Sequence, residues 1–199
     1  MTINGGSVVA MRGNGCVAIA SDLRFGVQAM TISKECSKVH EVPRMRGMVG
    51  LVGLHTDTKT VIDALRYHMN MHGLKEELQE HDPKDVARQL SSLQYSRRFG
   101  PWFVEPVVAG LRGPGLSQPY ICSMDTIGCM NEAEDFVVAG TASDQLYGMC
   151  EALYREGLGP DDLFEVISQA LLSACDRDAL SGWGAVVHVM YNFIFILVH

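Results

Sequence analysis

The chain opens on two short runs of β-branched and small apolar residues, SVVAM at 7–11 and CVAIAS at 16–21, joined by Arg12-Gly13-Asn14-Gly15. Asn-Gly between such runs is the strongest local signal for a tight hairpin, because both of its turn positions tolerate positive φ. A chain that begins antiparallel is steered away from the parallel strand–helix–strand folds. Further extended runs around 38–42 and 48–54 follow, and the four together read as one sheet.

Helical periodicity comes next. Residues 56–78 carry Val61, Leu65, Met69 and Leu74 roughly on one face, with Thr56 as the cap. A second helix opens at His81-Asp82-Pro83, where Asp82 caps and Pro83 suits the first turn. Val86, Leu90 and Leu93 form its apolar stripe, and Gly100-Pro101 ends it. Strand signals return in FVEPVVAGL, QPYICSM and DFVVAG, which read as a second sheet punctuated by turns such as Gly113-Pro114-Gly115. A helix entered through Gly140-Thr141, with Asp144 completing a capping box, closes near Gly157, and another runs over 160–177. From Ala185 to His199 the chain is nearly all apolar, but this run of about 15 residues is broken by His188 and Asn192. It is shorter than the roughly 20 residues a spanning helix needs, and it reads as two core strands turning near Asn192. These blocks predict a single α+β domain over 1–199, with two antiparallel sheets and helix pairs outside them.

Composition narrows the function classes. With 47% hydrophobic and 20% charged residues the chain reads as one soluble domain. Its 16 Lys+Arg are scattered and outnumbered by 23 Asp+Glu, which argues against nucleic-acid or anionic-membrane partners. Cys16, Cys36, Cys122, Cys129, Cys150 and Cys175 form no CxxC, so they read as reduced thiols, mostly in apolar company. No basic segment leads into an apolar stretch at the N-terminus, and an intracellular protein is expected. His68 and His72 share a helix face, but the Glu of HExxH is missing. His55-Thr56-Asp57 holds acid–base types that are too close in sequence to converge, and Gly50-Leu51-Val52-Gly53 lacks the rest of a dinucleotide fingerprint. No metal and no cofactor is expected.

A more specific arrangement is spread along the chain. Asp22 follows a strand, Lys38 opens another, Gly140-Thr141-Ala142-Ser143 starts a helix, and Asp178-Ala179-Leu180-Ser181-Gly182 follows the last one. Singly these are a turn residue, a strand-end charge, a cap and a helix-end acid. With the strings CVAIASDLRFG, RRFGPWFVEPVVAGL, DFVVAGTASDQLYGMCE and DRDALSGWGAVV, however, the chain resembles proteasome β-type subunits, members of the N-terminal-nucleophile hydrolase family, from about Asn4 to Val189.

The resemblance implies a four-layer αββα sandwich. Active relatives use an N-terminal Thr as nucleophile, with its own α-amino group as general base. By the resemblance Asp22 and Lys38 orient that nucleophile, Gly53 offers the oxyanion N–H, and Thr141, Asp178 and Ser181 support them. Counting back from Asp22 puts Gly6 at the nucleophile's position, where there is neither oxygen nor sulfur to attack with. Thr2 lies four residues upstream, and Ser7 is one residue late on the opposite strand face. The implied role is a non-catalytic structural subunit of a heteroheptameric β ring, contacting other β subunits, the facing β ring and the adjacent α ring. Polypeptide substrates would pass beside it, in cytoplasm and nucleus, in ubiquitin-dependent protein degradation. The loop at 123–129 is implied to cross the subunit boundary, with Asp125 and Cys129 lining a neighbouring trypsin-like site. The alternative is an active threonine-type endopeptidase using an unexpected N-terminus. The chain ends MYNFIFILVH where such subunits continue with charged residues.

Overall fold

In the computed structural model residues 4–76, 80–113, 115, 117–191 and 194–198 are described. Strands β1 (Ser7–Arg12) and β2 (Val17–Asp22) pair antiparallel with Arg12 opposite Val17. Gly15 takes the left-handed turn position at φ 65°, and Gly13 N–H donates to Cys16 O at 2.9 Å, so the expected hairpin forms. A two-stranded sheet of β3 (Phe25–Val27) and β4 (Met30–Ser33) follows, which the sequence pattern does not announce. Then come β5 (Val39–Glu41), β6 (Gly47–Gly53), α1 (His55–Glu76), α2 (Pro83–Tyr95), β7 (Val104–Arg112), β8 (Gln118–Met124), β9 (Met130–Glu132) and β10 (Phe136–Gly140). The chain continues through α3 (Ser143–Leu153), α4 (Pro160–Cys175), β11 (Ala185–Tyr191) and β12 (Ile194–Val198).

The first four runs do not form one sheet. β1 and β2 belong to a sheet ordered β10-β1-β2-β11-β12, whereas β5 and β6 head another, β5-β6-β7-β8-β9. DFVVAG likewise pairs with β1 and not with its predecessors, Ser7 facing Gly140. The cause is double burial. β1 sends Val9 and Met11 toward α3 and α4, and Val8 and Ala10 toward the other sheet, so neither face is polar and nothing in the strand names its sheet. Val49, Leu51 and Val108 pack against Val61, Leu65 and Leu90 of α1 and α2, while Val8, Ile19, Met48 and Ile121 fill the space between the sheets. The layers therefore run α1/α2, sheet, sheet, α3/α4, an α+β sandwich.

Several helix details depart from expectation. α1 begins at His55, whose N–H donates to the Asn4 side-chain oxygen at 2.9 Å, so Asn4 and not Thr56 satisfies that end. Leu74 is 70% exposed, and Ile62 joins Val61, Leu65 and Met69 in the core. Nine residues at about 100° each turn Leu74 to the side opposite Leu65. Asp82 caps α2 as expected, accepting from Lys84 N–H at 2.7 Å, but Gln94 shares the buried face and the helix ends at Tyr95, before Gly100-Pro101. Leu93 is only half-buried. The capping box of α3 does not form: Ala142 is its N-cap, with no side-chain cap bond, and Thr141 Oγ1 donates to Asp178 Oδ2 instead. β11 and β12 pair with Tyr191 opposite Ile194, as the apolar run suggests; the turn at Asn192 lies outside the described residues. Among the described residues no helix is long and apolar enough to cross a membrane.

Candidate functional site

Two polar clusters meet at the start of β1. In the first, β2 delivers Asp22 at its last position and β5 follows directly on Lys38. Asp22 is fully buried and Lys38 nearly so. Lys38 Nζ donates to Asp22 Oδ1 at 2.9 Å, Asp22 O at 3.0 Å and Arg24 O at 2.6 Å, which engages all three of its protons. The Asp22 carboxylate also accepts the backbone N–H groups of Ser7, Arg24 and Gly182, at 2.9, 3.2 and 3.1 Å. A buried ion pair survives desolvation only when its remaining donors and acceptors are matched, and this one is. A Cβ on Gly6 would lie 2.7 Å from Lys38 Cε and 3.3 Å from Asp22 Oδ1, so the side-chain position at Gly6 faces the pair and is empty of functional groups.

In the second cluster Ala142 N–H donates to Ser7 Oγ at 3.0 Å, Ser7 and Ser181 hydroxyls lie 2.8 Å apart, and Ser181 and Thr141 hydroxyls 3.1 Å. Thr141 Oγ1 then reaches Asp178 Oδ2 at 2.6 Å. If each hydroxyl donates once, the bonds run in one direction and terminate on the carboxylate, which satisfies every member. Thr141 N–H closes the group onto Gly6 O at 3.0 Å. Ser7 Oγ, buried among these hydroxyls, points away from Lys38, as strand alternation requires. Gly53, at φ 128°, borders a cavity of about 160 Å³ together with Gly6, Phe103, Glu105 and Thr141. A side chain there would strike Phe103 O at 2.1 Å. Gly6, Asp22, Lys38, Gly53, Thr141, Asp178 and Ser181 are thus brought together. Asp125 and Cys129 are not part of this group and sit exposed on the β8–β9 connection. There Asp125 Oδ1 accepts the N–H groups of Ile127 at 3.0 Å and Cys129 at 2.8 Å.

Two residues of the site escape a reading of the sequence. Arg24 is buried, and its guanidinium donates to Thr31 Oγ1, Leu180 O, Gln28 O and Asn4 O at 3.0, 3.0, 2.9 and 3.3 Å. Asn4 joins β3 to the start of α1. The signal for Arg24 is a cation inside the string DLRFG, and for Asn4 its place in INGG, where the resemblance begins, without a role attached to either. Nearby, burial and the charges of Lys59 and Arg66 push His40 down to about 4, and burial with Lys59 and Lys38 lowers His55. Both shifts favour the neutral imidazole. His68, by contrast, sits on the exposed side of α1, its Nδ1 2.8 Å from Ala64 O.

A sequence model of the family described as "Proteasome: Proteasome subunit" matches residues 2–190. The chain is 54% identical over 191 residues to proteasome subunit beta type-3 of Drosophila melanogaster, covering 96% of this chain and 91% of that protein. The chain belongs to the proteasome subunit family. Proteasome subunit beta type-3 of Saccharomyces cerevisiae is 52% identical over 189 residues, 95% of this chain and 90% of its own length. Proteasome subunit beta type-3-A of Arabidopsis thaliana is 47% identical over 190 residues, covering 94% and 90%. The layered sandwich is the fold expected of a proteasome subunit. In this proteasome subunit the saturated Asp22–Lys38 ion pair lies beneath Gly6, a residue that has no side chain.

Proposed function

We propose that the chain is a non-catalytic β subunit of the 20S proteasome core particle, of the beta type-3 kind, acting in the assembly of a heteroheptameric β ring. The observation that carries this reading is Gly6: the side-chain position facing Asp22 and Lys38 holds no nucleophile. Lys38 spends its protons on Asp22 and Arg24 and has none left to steer toward a reacting atom. Gly6 has no hydroxyl or thiol with which to cleave the Gly5–Gly6 peptide, so it cannot free its own α-amino group to act as base. The alternative, an active threonine-type endopeptidase, finds no support in Ser7, whose hydroxyl is consumed by Ala142 N–H and Ser181. On this reading Asp22, Lys38, Thr141, Asp178 and Ser181 stabilise the fold.

Its partners would be the other β subunits, the facing β ring and the adjacent α ring, in cytoplasm and nucleus, with polypeptide substrates passing through. Asp125 and Cys129 would line a neighbouring trypsin-like site. The test is covalent: particles treated with an epoxyketone or vinyl-sulfone probe are separated by subunit and weighed. Catalytic siblings should gain the probe's mass while this chain keeps its own. A probe adduct on this chain would overturn the assignment.

A further inference from the structure

The connection from α2 to β7 carries Phe99, which at 99% exposure is the most exposed large apolar side chain among the described residues. Tyr95 and Phe103 on either side of it are exposed as well, and Trp102 is half-buried. Aromatic groups gathered in this way on a surface mark contact with another protein. The connection is not slack. Arg97, Arg98 and Gly100 N–H donate to Gln94 O, Tyr95 O and Arg97 O at 3.0, 3.0 and 2.9 Å, and Ser96 Oγ donates to Leu93 O at 2.6 Å. Phe103 N–H donates to Asp57 Oδ2 at 2.9 Å, and Gln94 Nε2 reaches from α2 to Val104 O at 3.0 Å, which ties the two ends together. A loop already held in successive turns loses little freedom when a partner covers it.

Its charge is unlike that of the rest of the chain. Residues 86–104 contain Arg88, Arg97 and Arg98 and no Asp or Glu, in a chain of net charge −7. Arg88 pairs with Asp85 at 3.0 Å. Arg97 instead lies over the Trp102 ring, 5.2 Å from its centroid, and Arg98 over the Phe99 ring at 5.7 Å; among the described residues neither has a carboxylate partner. Stacking uses the flat face of a guanidinium and leaves its in-plane N–H donors for an acceptor. Arginine and aromatic side chains are the groups that protein interfaces bury at their centres.

The shape and charge select the partner. A phenyl ring that stands clear of its own chain needs a pocket, which a folded protein can offer and an extended peptide cannot. Two copies of this chain meeting patch to patch would set arginine against arginine, which disfavours a twin. We propose that the α2–β7 connection is a docking knob, with Phe99 entering an apolar pocket of a folded partner protein and Arg97 and Arg98 pairing with carboxylates on the rim of that pocket. The proposal rests on the reading of the chain as an assembled subunit and is independent of what Gly6 can or cannot catalyse.

The test places benzoylphenylalanine at position 99 and irradiates purified particles, with cross-linked peptides mapped by mass spectrometry. The knob should join one other chain, at a site flanked by Asp or Glu. No cross-link to another chain, or one flanked only by Lys and Arg, overturns the proposal. Entry into particles against tagged wild-type competitor supplies the second measurement. Phe99→Ala, and Arg97→Glu combined with Arg98→Glu, should each enter roughly tenfold less than wild type, whereas Arg97→Lys combined with Arg98→Lys keeps the charge and should retain most of it. Equal entry of all variants overturns the knob, as does reduced entry accompanied by faster amide exchange in α2, which would make the defect one of folding. A wild-type chain that never enters particles refutes the subunit reading itself, and the knob with it, whereas a chain that enters without a cross-link refutes the knob alone.

Discussion

At the residue scale the site is a set of buried charges whose partners are specific, and that specificity makes its energetics predictable. Asp22→Ala would leave the Lys38 ammonium buried without a counter-charge and would orphan the N–H groups of Ser7, Arg24 and Gly182. Removing one partner of such a pair costs about 3–5 kcal/mol. Asp22→Asn keeps the shape and one acceptor oxygen and should cost less. The expected outcome is that Asp22→Ala subunits fail to enter particles when coexpressed with tagged wild-type competitor, while Asp22→Asn enters at a reduced level; equal incorporation of all three would show that the ion pair contributes little. How much of this was legible follows from where the partners lie. Asp22 and Lys38 could be picked out because a charge interrupts a strand string. Asn4 could not, because it meets His55 from 51 residues away, and neither could the Arg24–Leu180 bond, which spans 156. Polar contacts closed only by the tertiary fold leave no local pattern.

At the element scale the same limit governs the sheets. Turns and caps that depend on neighbouring residues, such as Gly13–Cys16 and Asp82–Lys84, are readable from sequence, whereas sheet membership is not, because strands buried on both faces carry no polar stripe. The packing of β5 on α1 has a consequence of its own. His40 on β5 is half-buried beside Lys59 and Arg66 of α1 and His55 at its start, with Asp63 the only opposing charge among them, and it titrates at about 4 where an ordinary histidine has 6.5. Folding therefore favours the neutral ring, and between those two values the unfolded chain holds the extra proton. The stabilisation is complete above about pH 6.5 and is lost as pH falls toward 4, by at most about 3 kcal/mol at this half-buried position. Thermal melts of the assembled particle between pH 7 and 5 should show β5 and α1 losing amide protection first, and His40→Gln should flatten that pH dependence. An identical slope in the variant would remove His40 as the cause.

At the scale of the whole molecule, the surface loop between β8 and β9 is closed on itself and tied to α2 by hydrogen bonds, and this makes its charge separable from its shape. Gly128, at φ 87°, lies against α2, where Ser91 Oγ donates to its carbonyl at 2.5 Å. Asp125, an exposed residue, closes the loop by accepting Ile127 and Cys129 N–H on a single oxygen, Oδ1. An asparagine can present the same oxygen to the same two donors, so Asp125→Asn removes the charge and keeps the turn. If Asp125 lines the channel of a neighbouring trypsin-like site, the lost carboxylate withdraws attraction for cationic side chains and leaves the reacting atoms untouched. The effect then falls on KM for basic peptides and spares kcat. Exposed pairs are weakened by water, so the expected rise in KM is roughly twofold to fivefold, largest at low ionic strength and shrinking as salt is added. Asp125→Ala supplies the contrast: it loses both the charge and the acceptor, and should disturb the loop and assembly as well. Particles carrying Asp125→Asn should assemble normally and keep their other peptidase activities. Unchanged hydrolysis of Arg-ending fluorogenic peptides at low salt would mean that Asp125 serves the turn alone.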